Sequence, residues 1–218
     1  MLEIINLILF PLILLMHKIF EIYVQVFLSV GLSIMMLSLT ISVLFYPLQK
    51  KFNKIEEKIT KKILRINKEI HKIDANLSGE KRFHEIEKIY KRFNYHPIHN
   101  IGIGAGFFLL LPILLSAMLM LSNNEILINV PFLFIIDLSI PDNALLGFNI
   151  LPIFMLFISI VDSKIKFKND RNSLIKFIII SFVIFILIYN FSSALVLYWV
   201  FANIFSLSQT IYKDKLSN

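Results

Sequence analysis

The polar groups that this chain places inside its apolar runs are neutral hydroxyls and amides. Ser38, Thr40 and Ser42 stand in one run, Ser116 in a second, and Tyr198, Asn203, Ser206 and Gln209 in the last. None forms a recognisable nucleophile–base pair, so no catalytic residue is assigned and enzyme chemistry is not expected. Such groups can instead offer hydrogen bonds where water is scarce. Ser38 and Ser42 are four apart and share a helix face, where they either let helices pack closely or wet one side of a span. His96 and His99 have metal-ligand types, but a site needs more partners and no carboxylate lies beside them, so no metal is expected. Gly102, Gly104 and Gly106 alternate, yet no strand precedes them; close packing at a helix entrance suffices, and no phosphate-binding loop or other cofactor site is read there.

The elements that must position these groups follow from composition. With 218 residues, 57% hydrophobic and 17% charged, the chain reads as one all-α integral membrane protein. The absence of cysteine excludes disulfides and Cys-ligated metals. Between Gln49 and His99 fourteen Lys/Arg face seven Asp/Glu, so this block alone carries the +7 of the whole chain. A basic block between apolar runs reads as a cytoplasmic loop, because positive charge is retained on that side of a membrane. Its apolar residues keep a 3/4 spacing through Phe52, Ile55, Ile59, Ile63, Ile66, Ile70, Ile73 and Leu77, then Phe83, Ile86, Ile89 and Phe93 after Ser78-Gly79. That pattern predicts an antiparallel helical hairpin zipped along its Ile seam over 49–100. It serves either as a solvated loop that fixes topology or as a functional surface. Its basic charge is interleaved with Glu and lies beside spans, so anionic lipid or a ribosomal surface is a more natural partner than specific nucleic acid.

Residues 1–21 imitate a signal peptide but start with Glu3 and show no small-residue cleavage site, so they are expected to be retained. Pro11 divides the run and His17, Lys18 and Glu21 close it, which predicts an interfacial amphipathic helix; a true first span is the alternative, and it would reverse every later orientation. Spans are predicted over 22–48, ending at Tyr46-Pro47, then 101–122, 150–162, 174–190 and 194–212. The loop over 123–149 carries Glu125, Asp137 and Asp142 with no Lys or Arg and belongs outside. The loop over 163–173 and the tail over 213–218 are basic and cytoplasmic. The result is five transmembrane helices, N-terminus out and C-terminus in. No ionisable residue falls near the middle of a span, and Lys176 is close enough to an end to snorkel, which counts against ion-coupled transport.

Several short motifs in this order resemble the YidC/Oxa/Alb family of membrane protein insertases. They are Tyr46-Pro47-Leu48, His96-Pro97-Ile98, Pro131-Phe132 with Asp137-Leu138, Ile150-Leu151-Pro152-Ile153, and Leu195-Val196-Leu197-Tyr198-Trp199 with Asn203-Ile204-Phe205-Ser206 and Gln209. Together they cover about Pro11 to Tyr212, and the last group is the most specific. The resemblance implies a bundle enclosing a polar groove, open to cytoplasm and lipid and closed outside, lined by Ser38, Ser42, Ser116, Tyr198, Trp199 and Asn203. It also implies that the hairpin receives substrate, which points to Lys58, Lys61, Lys62, Arg65, Lys81 and Arg82. Five residues before Pro47 the family typically has a groove arginine; here stands Ser42, which reads as a short, divergent member without the large outer domain of many relatives.

The implied function is that of an insertase or chaperone in the bacterial cytoplasmic (inner) membrane. Its partners would be newly made membrane proteins and the bilayer, with ribosome or Sec translocon as further candidates. A small-molecule or lipid transporter, and a scaffold docking a partner through the hairpin, are the alternatives.

Overall fold

The computed structural model describes residues 2–73, 77–96, 105–122, 124–145, 147–168 and 170–217. Among these residues there are seven α-helices, α1 (Leu2–Phe27), α2 (Val30–Ile70), α3 (Gly79–Arg92), α4 (Ala105–Ser122), α5 (Ile150–Lys166), α6 (Arg171–Ile188) and α7 (Ser193–Ser217), and a 3₁₀ turn at Glu125–Leu127. The all-α expectation holds: no named strand occurs among the described residues, only the isolated bridges Phe132–Ile135 and Leu145–Phe148. Three stretches, Leu9–Phe27, Val30–Ile55 and Ser193–Leu216, are long and apolar enough to cross a membrane; Leu111–Ser122 and Ser173–Ile188 are shorter apolar helices. The chain forms two compact units, Met1–Leu44 with Ile113–Asn218 and Phe45–Pro112.

Two element boundaries differ from the sequence reading. Pro11 does not divide α1, and His17 and Glu21 do not close it, because they pair at 3.2 Å one turn apart and support the helix. The break falls at Leu28, which adopts a left-handed φ of 51° and gives its N–H to Val24 O. Ser29 O then accepts both the N–H and the hydroxyl of Ser33, which starts α2. Nor does α2 end at Tyr46-Pro47. It runs through Pro47 to Ile70, so the span predicted over 22–48 and the first hairpin helix share one continuous helix. A proline inside a helix forfeits one backbone bond, whereas ending the helix in an apolar medium would leave several groups unmet.

In the larger unit, α5 and α7 run parallel. Ser159 pairs with Asn203, Asp162 with Ser206 and Lys168 with Asp214, at sequence offsets of 44, 44 and 46. A constant offset is what parallel neighbours produce; an antiparallel pair would keep the sum constant. The core gathers Met16 and Phe20 of α1, Ile34, Leu37 and Ile41 of α2, Ala117 and Leu121 of α4, and the first two turns of α7 from Ser193 to Val200, except for the partly exposed Trp199. Most of α6 is exposed, and its large side chains Ile179, Phe182, Val183 and Ile186 give it the surface of a lipid-facing helix.

In the smaller unit the hairpin is present but thin. Lys62 Nζ donates to Asn94 O at 2.9 Å, and the buried Ile66 and Ile89 lie four residues on and five residues back from that pair, as antiparallel helices require. The predicted seam is only partly closed: Ile55 and Phe83 are exposed, since two helices can bury only one line of side chains between them. Gly79 opens α3 with a φ of 61°, a left-handed conformation that suits glycine. His99, Gly102 and Gly104 lie outside the described residues.

Candidate membrane groove and its outer closure

The apolar medium leaves a helix N-terminus with orphan N–H groups that must find partners inside the protein. The loop between α4 and α5 supplies them. Asp142, eight residues before α5, accepts Ile150 N–H at 3.0 Å and Leu151 N–H at 2.6 Å through its two carboxylate oxygens. Leu138 O and Ile140 O accept Ala194 N–H and Ser193 N–H at 2.9 and 2.8 Å, and Ile140 O also takes the Ser193 hydroxyl at 2.6 Å. Asn149 ties a third point: its Oδ1 accepts Asn143 N–H at 3.0 Å and its Nδ2 donates to Tyr189 O at 2.7 Å. One loop therefore fastens the starts of α5 and α7 and the end of α6.

The same loop grips α2 at Gly31. A Cβ added there would lie 2.1 Å from Cγ of Phe132, so the ring occupies the space that any other side chain would need. Beneath this closure Leu127, Ile135 and Leu138 are buried, while Leu133 and Ile136 point outward at 80% and 81% exposure. Asp137 Oδ1 accepts the Ser139 N–H and hydroxyl, each at 2.8 Å. The Ser139 backbone bond first, with the hydroxyl and Asn129 N–H adding to it, holds this carboxyl below the usual aspartate range.

Below the closure, polar side chains line the α5–α7 seam. Ser159 and Asp162 stand three apart on α5, and Asn203, Ser206 and Gln209 keep the same interval on α7. Asn203 Nδ2 donates to Ser159 Oγ at 3.3 Å and Ser206 donates to Asp162 Oδ2 at 3.1 Å. Asp162 Oδ1, Gln209 Nε2, Trp199 Nε1 and Ser116 Oγ are buried polar atoms with no protein partner among the described residues.

The predicted groove residues divide in two. Ser38 is fully buried and its hydroxyl donates to Tyr198 O at 2.6 Å, which ties α2 to α7; Tyr198 itself is 2% exposed. Tyr23 and Thr40 similarly join α1 to α2 at 2.7 Å. Ser42, Trp199 and Asn203 are only partly buried, and Ser42 makes no hydrogen bond among the described residues. Ser116 is fully buried with its hydroxyl unmet. In the hairpin unit, Lys58, Lys61, Lys62, Arg65 and Phe93 line a hollow of about 430 Å³, whereas Lys81 and Arg82 do not contribute to it.

Residues 22–218 match the family model described as 60Kd inner membrane protein. The chain belongs to that family. Among its relatives, the membrane protein insertase YidC of Syntrophobacter fumaroxidans is 30% identical over 199 residues, which are 85% of this chain and 34% of the relative. That of Magnetococcus marinus is 28% identical, covering 89% and 34%, and that of Leptospira interrogans 24% identical, covering 82% and 30%. The chain thus spans about a third of the length of the curated relatives it matches.

Membership of the 60Kd inner membrane protein family bears out the YidC/Oxa/Alb resemblance, and with the apolar helices it makes this a multi-pass protein of the bacterial inner membrane. Sequence reading missed Asp142, Asn149 and Ser193 as fasteners of the helix ends and Ser159 with Asp162 as partners of the α7 amides and hydroxyls. The seam left a trace in the matching three-residue intervals. The Asp142 cap left none, because a helix cap is sought next to its helix and this one reaches back from eight residues away.

Proposed function

We propose that this chain is a membrane protein insertase that passes the hydrophilic flank of a newly made membrane protein along a polar path and releases its apolar segment into lipid. The observation that carries the reading is that four of the six unmet buried side-chain atoms among the described residues, Ser116 Oγ, Asp162 Oδ1, Trp199 Nε1 and Gln209 Nε2, lie within the bundle, the other two, Asn124 Nδ2 and Ser192 Oγ, being at its loop-fastened end. A buried polar atom without a partner costs about 1–3 kcal/mol, and a passing hydrophilic segment faces several kcal/mol of desolvation. Each supplies what the other lacks, and no bond chemistry is needed. Ser42, Ser116, Trp199 and Asn203 are the groove residues of this proposal, with Ser38 and Tyr198 holding their helices together.

The topology belongs to the same proposal. Five spans, from α2, α4, α5, α6 and α7, put every strongly basic loop on the cytoplasmic side and the acidic 123–149 loop outside, with α1 in the interface. Parallel α5 and α7 fit, since one span of opposite direction separates them. At seventeen residues, α5 is roughly 25 Å long against about 30 Å of hydrocarbon, so lipid thins around it and shortens the path. The hairpin, through Lys58, Lys61, Lys62, Arg65, Lys81 and Arg82, meets substrate or a ribosome or translocon on the way in.

Purified protein in liposomes is expected to promote insertion of one- or two-span proteins without nucleotide. Photo-crosslinkers at Ser42 and Asn203 should capture them in transit, and crosslinkers at the lipid-facing Val183 and Ile186 should not. Equal capture at both sets removes the groove reading, and capture only on the hairpin favours a scaffold.

A further inference from the structure

Lys58, Lys61, Lys62 and Arg65 recur at intervals of three, one and three residues, which places four cations on one face of α2 within two turns. They line one hollow, and Phe93, just past the end of α3, forms its apolar wall. Lys62 is held in place by its bond to Asn94 O at 2.9 Å. Among the side chains that the structure describes, none forms an ion pair with Lys58, Lys61 or Arg65, although the hairpin pairs other lysines, as in Glu69–Lys72, Glu85–Lys88 and Glu87–Lys91. Like charges so close repel, so the arrangement is suited to an anion from outside the chain.

Depth along the helix identifies the source of that anion. The candidate span on α2 runs to Ile55, three residues before Lys58 and ten before Arg65, with Lys50, Lys51 and Lys54 close enough to its end to snorkel. At 1.5 Å per residue the cations stand roughly 5–15 Å past the hydrocarbon edge, and the headgroup layer occupies about the first 5–8 Å. Lysine and arginine stems are long enough to bring the farther charges back to that level. A cluster of four or more Lys/Arg just cytoplasmic of a span is the arrangement that attracts anionic headgroups, and the aromatic wall suits a ligand whose other end is apolar.

We propose that this hollow binds the phosphate headgroup of an anionic phospholipid, with Phe93 against the glycerol and upper acyl region. The headgroup's negative charge offsets part of the repulsion among the four cations and holds the hairpin at the membrane surface. The proposal rests on the cytoplasmic placement of the hairpin argued above, but its test uses neither substrate nor insertion, so its failure leaves the insertase reading standing.

The test measures lipid binding to the full-length protein in detergent by native mass spectrometry, comparing phosphatidylglycerol with phosphatidylcholine. Wild type should retain phosphatidylglycerol preferentially. Replacing Lys58, Lys61, Lys62 and Arg65 with Gln should weaken that binding at least tenfold. A variant with Arg at the three lysine positions should keep it, and Lys81→Gln with Arg82→Gln should change it less than twofold. Glutamine favours helix and relieves repulsion, and an unchanged circular dichroism spectrum confirms the fold. No preference between the lipids, or an equal loss in the Lys81/Arg82 variant, overturns the proposal. It is equally overturned if polyuridylate binds more tightly than phosphatidylglycerol and the four Gln substitutions abolish that binding, because the site then reads RNA phosphate.

Discussion

Ser38 and Ser42 share a helix face one turn apart, yet the structure gives them opposite duties, and substitution should separate them. The Ser38 hydroxyl is fully buried and donates to Tyr198 O at 2.6 Å. Removing it in Ser38→Ala loses one interhelical hydrogen bond, and Tyr198 O keeps its own helical partner, so no acceptor is orphaned. Such bonds are worth about 1 kcal/mol in proteins generally and about 0.6 kcal/mol between helices in lipid. Expected is a fall in Tm of about 2–4 °C, taking the usual scaling for a chain of this size. Ser38→Leu adds bulk where no space exists and should cost about 1–3 kcal/mol. Ser42→Ala, at a partly exposed site with no bond to lose, should stay within about 0.5 kcal/mol.

Function should respond in the reverse order. Ser42→Arg places a positive charge at this partly buried position. A charge pair at about 8 Å is worth roughly 2 kcal/mol at an effective dielectric of 20, about a thirtyfold effect. We expect the insertion ratio of acidic-tailed to neutral-tailed substrates in liposomes to rise at least tenfold for Ser42→Arg, while Ser38→Ala leaves the ratio unchanged. An unchanged ratio in a well-folded Ser42→Arg protein refutes the view that position 42 reads substrate charge. A Ser38→Ala protein as stable as wild type, but with an altered ratio, refutes the division of labour.

Four further outcomes are expected. Gly31→Ala should destabilise the outer end because its Cβ meets the Phe132 ring, and Phe132→Ala in the same chain should recover part of the lost Tm; additive losses would show that the two do not touch. Asp142→Ala removes two buried, charge-assisted bonds at the start of α5 and should cost about 2–4 kcal/mol, read as a lower Tm and faster outer-loop proteolysis; an unaltered proteolysis rate argues against the clamp. Because the folded Asp137 carboxyl is held below its ordinary value of about 4, its contribution is complete above that pH and is lost as pH falls through the lowered folded value. Protection of the Ser139 N–H against exchange, relative to a free amide at the same pH, should therefore fall only below about pH 4, and Asp137→Asn should flatten that dependence. In intact cells an impermeant thiol reagent should label Ile136→Cys and not Lys88→Cys; the opposite pattern would invert the topology.

Much of the fold was legible because membrane sequence is redundant: apolar run length, the basic block and the acidic loop all point to the same arrangement. The misread points share one cause. Pro11, Pro47 and the charged trio His17, Lys18 and Glu21 are punctuation in water, but a single missing N–H or an i,i+4 pair does not stop a helix whose alternative is unmet backbone in lipid. The real break, at Leu28, carries no residue that announces a left-handed conformation. At the site, spacing showed which hydroxyls share a face but not which were already occupied. Ser38 and Ser42 differ in burial and in whether α7 presents a carbonyl, and both depend on the fold as a whole.

The distribution of satisfied and unmet polar groups bears on how a groove without arginine can work. At the end closed by the loop between α4 and α5, Asp142, Asn149 and Ser193 spend their side chains on helix termini. Ser116 and Trp199 each lie six residues, roughly 9 Å, from the last residue of α4 and the first of α7, while Asp162 and Gln209 lie toward the other ends of α5 and α7. Unmet atoms therefore occur at successive depths instead of at one focus. A fixed cation binds one class of flank strongly and must later let it go. Hydroxyl, indole and amide groups spread along the path each offer about one weak bond, so a hydrophilic segment can exchange partners step by step without a deep minimum. On the proposed insertase reading that arrangement favours passage over retention, and it predicts that insertion proceeds without a cation at position 42.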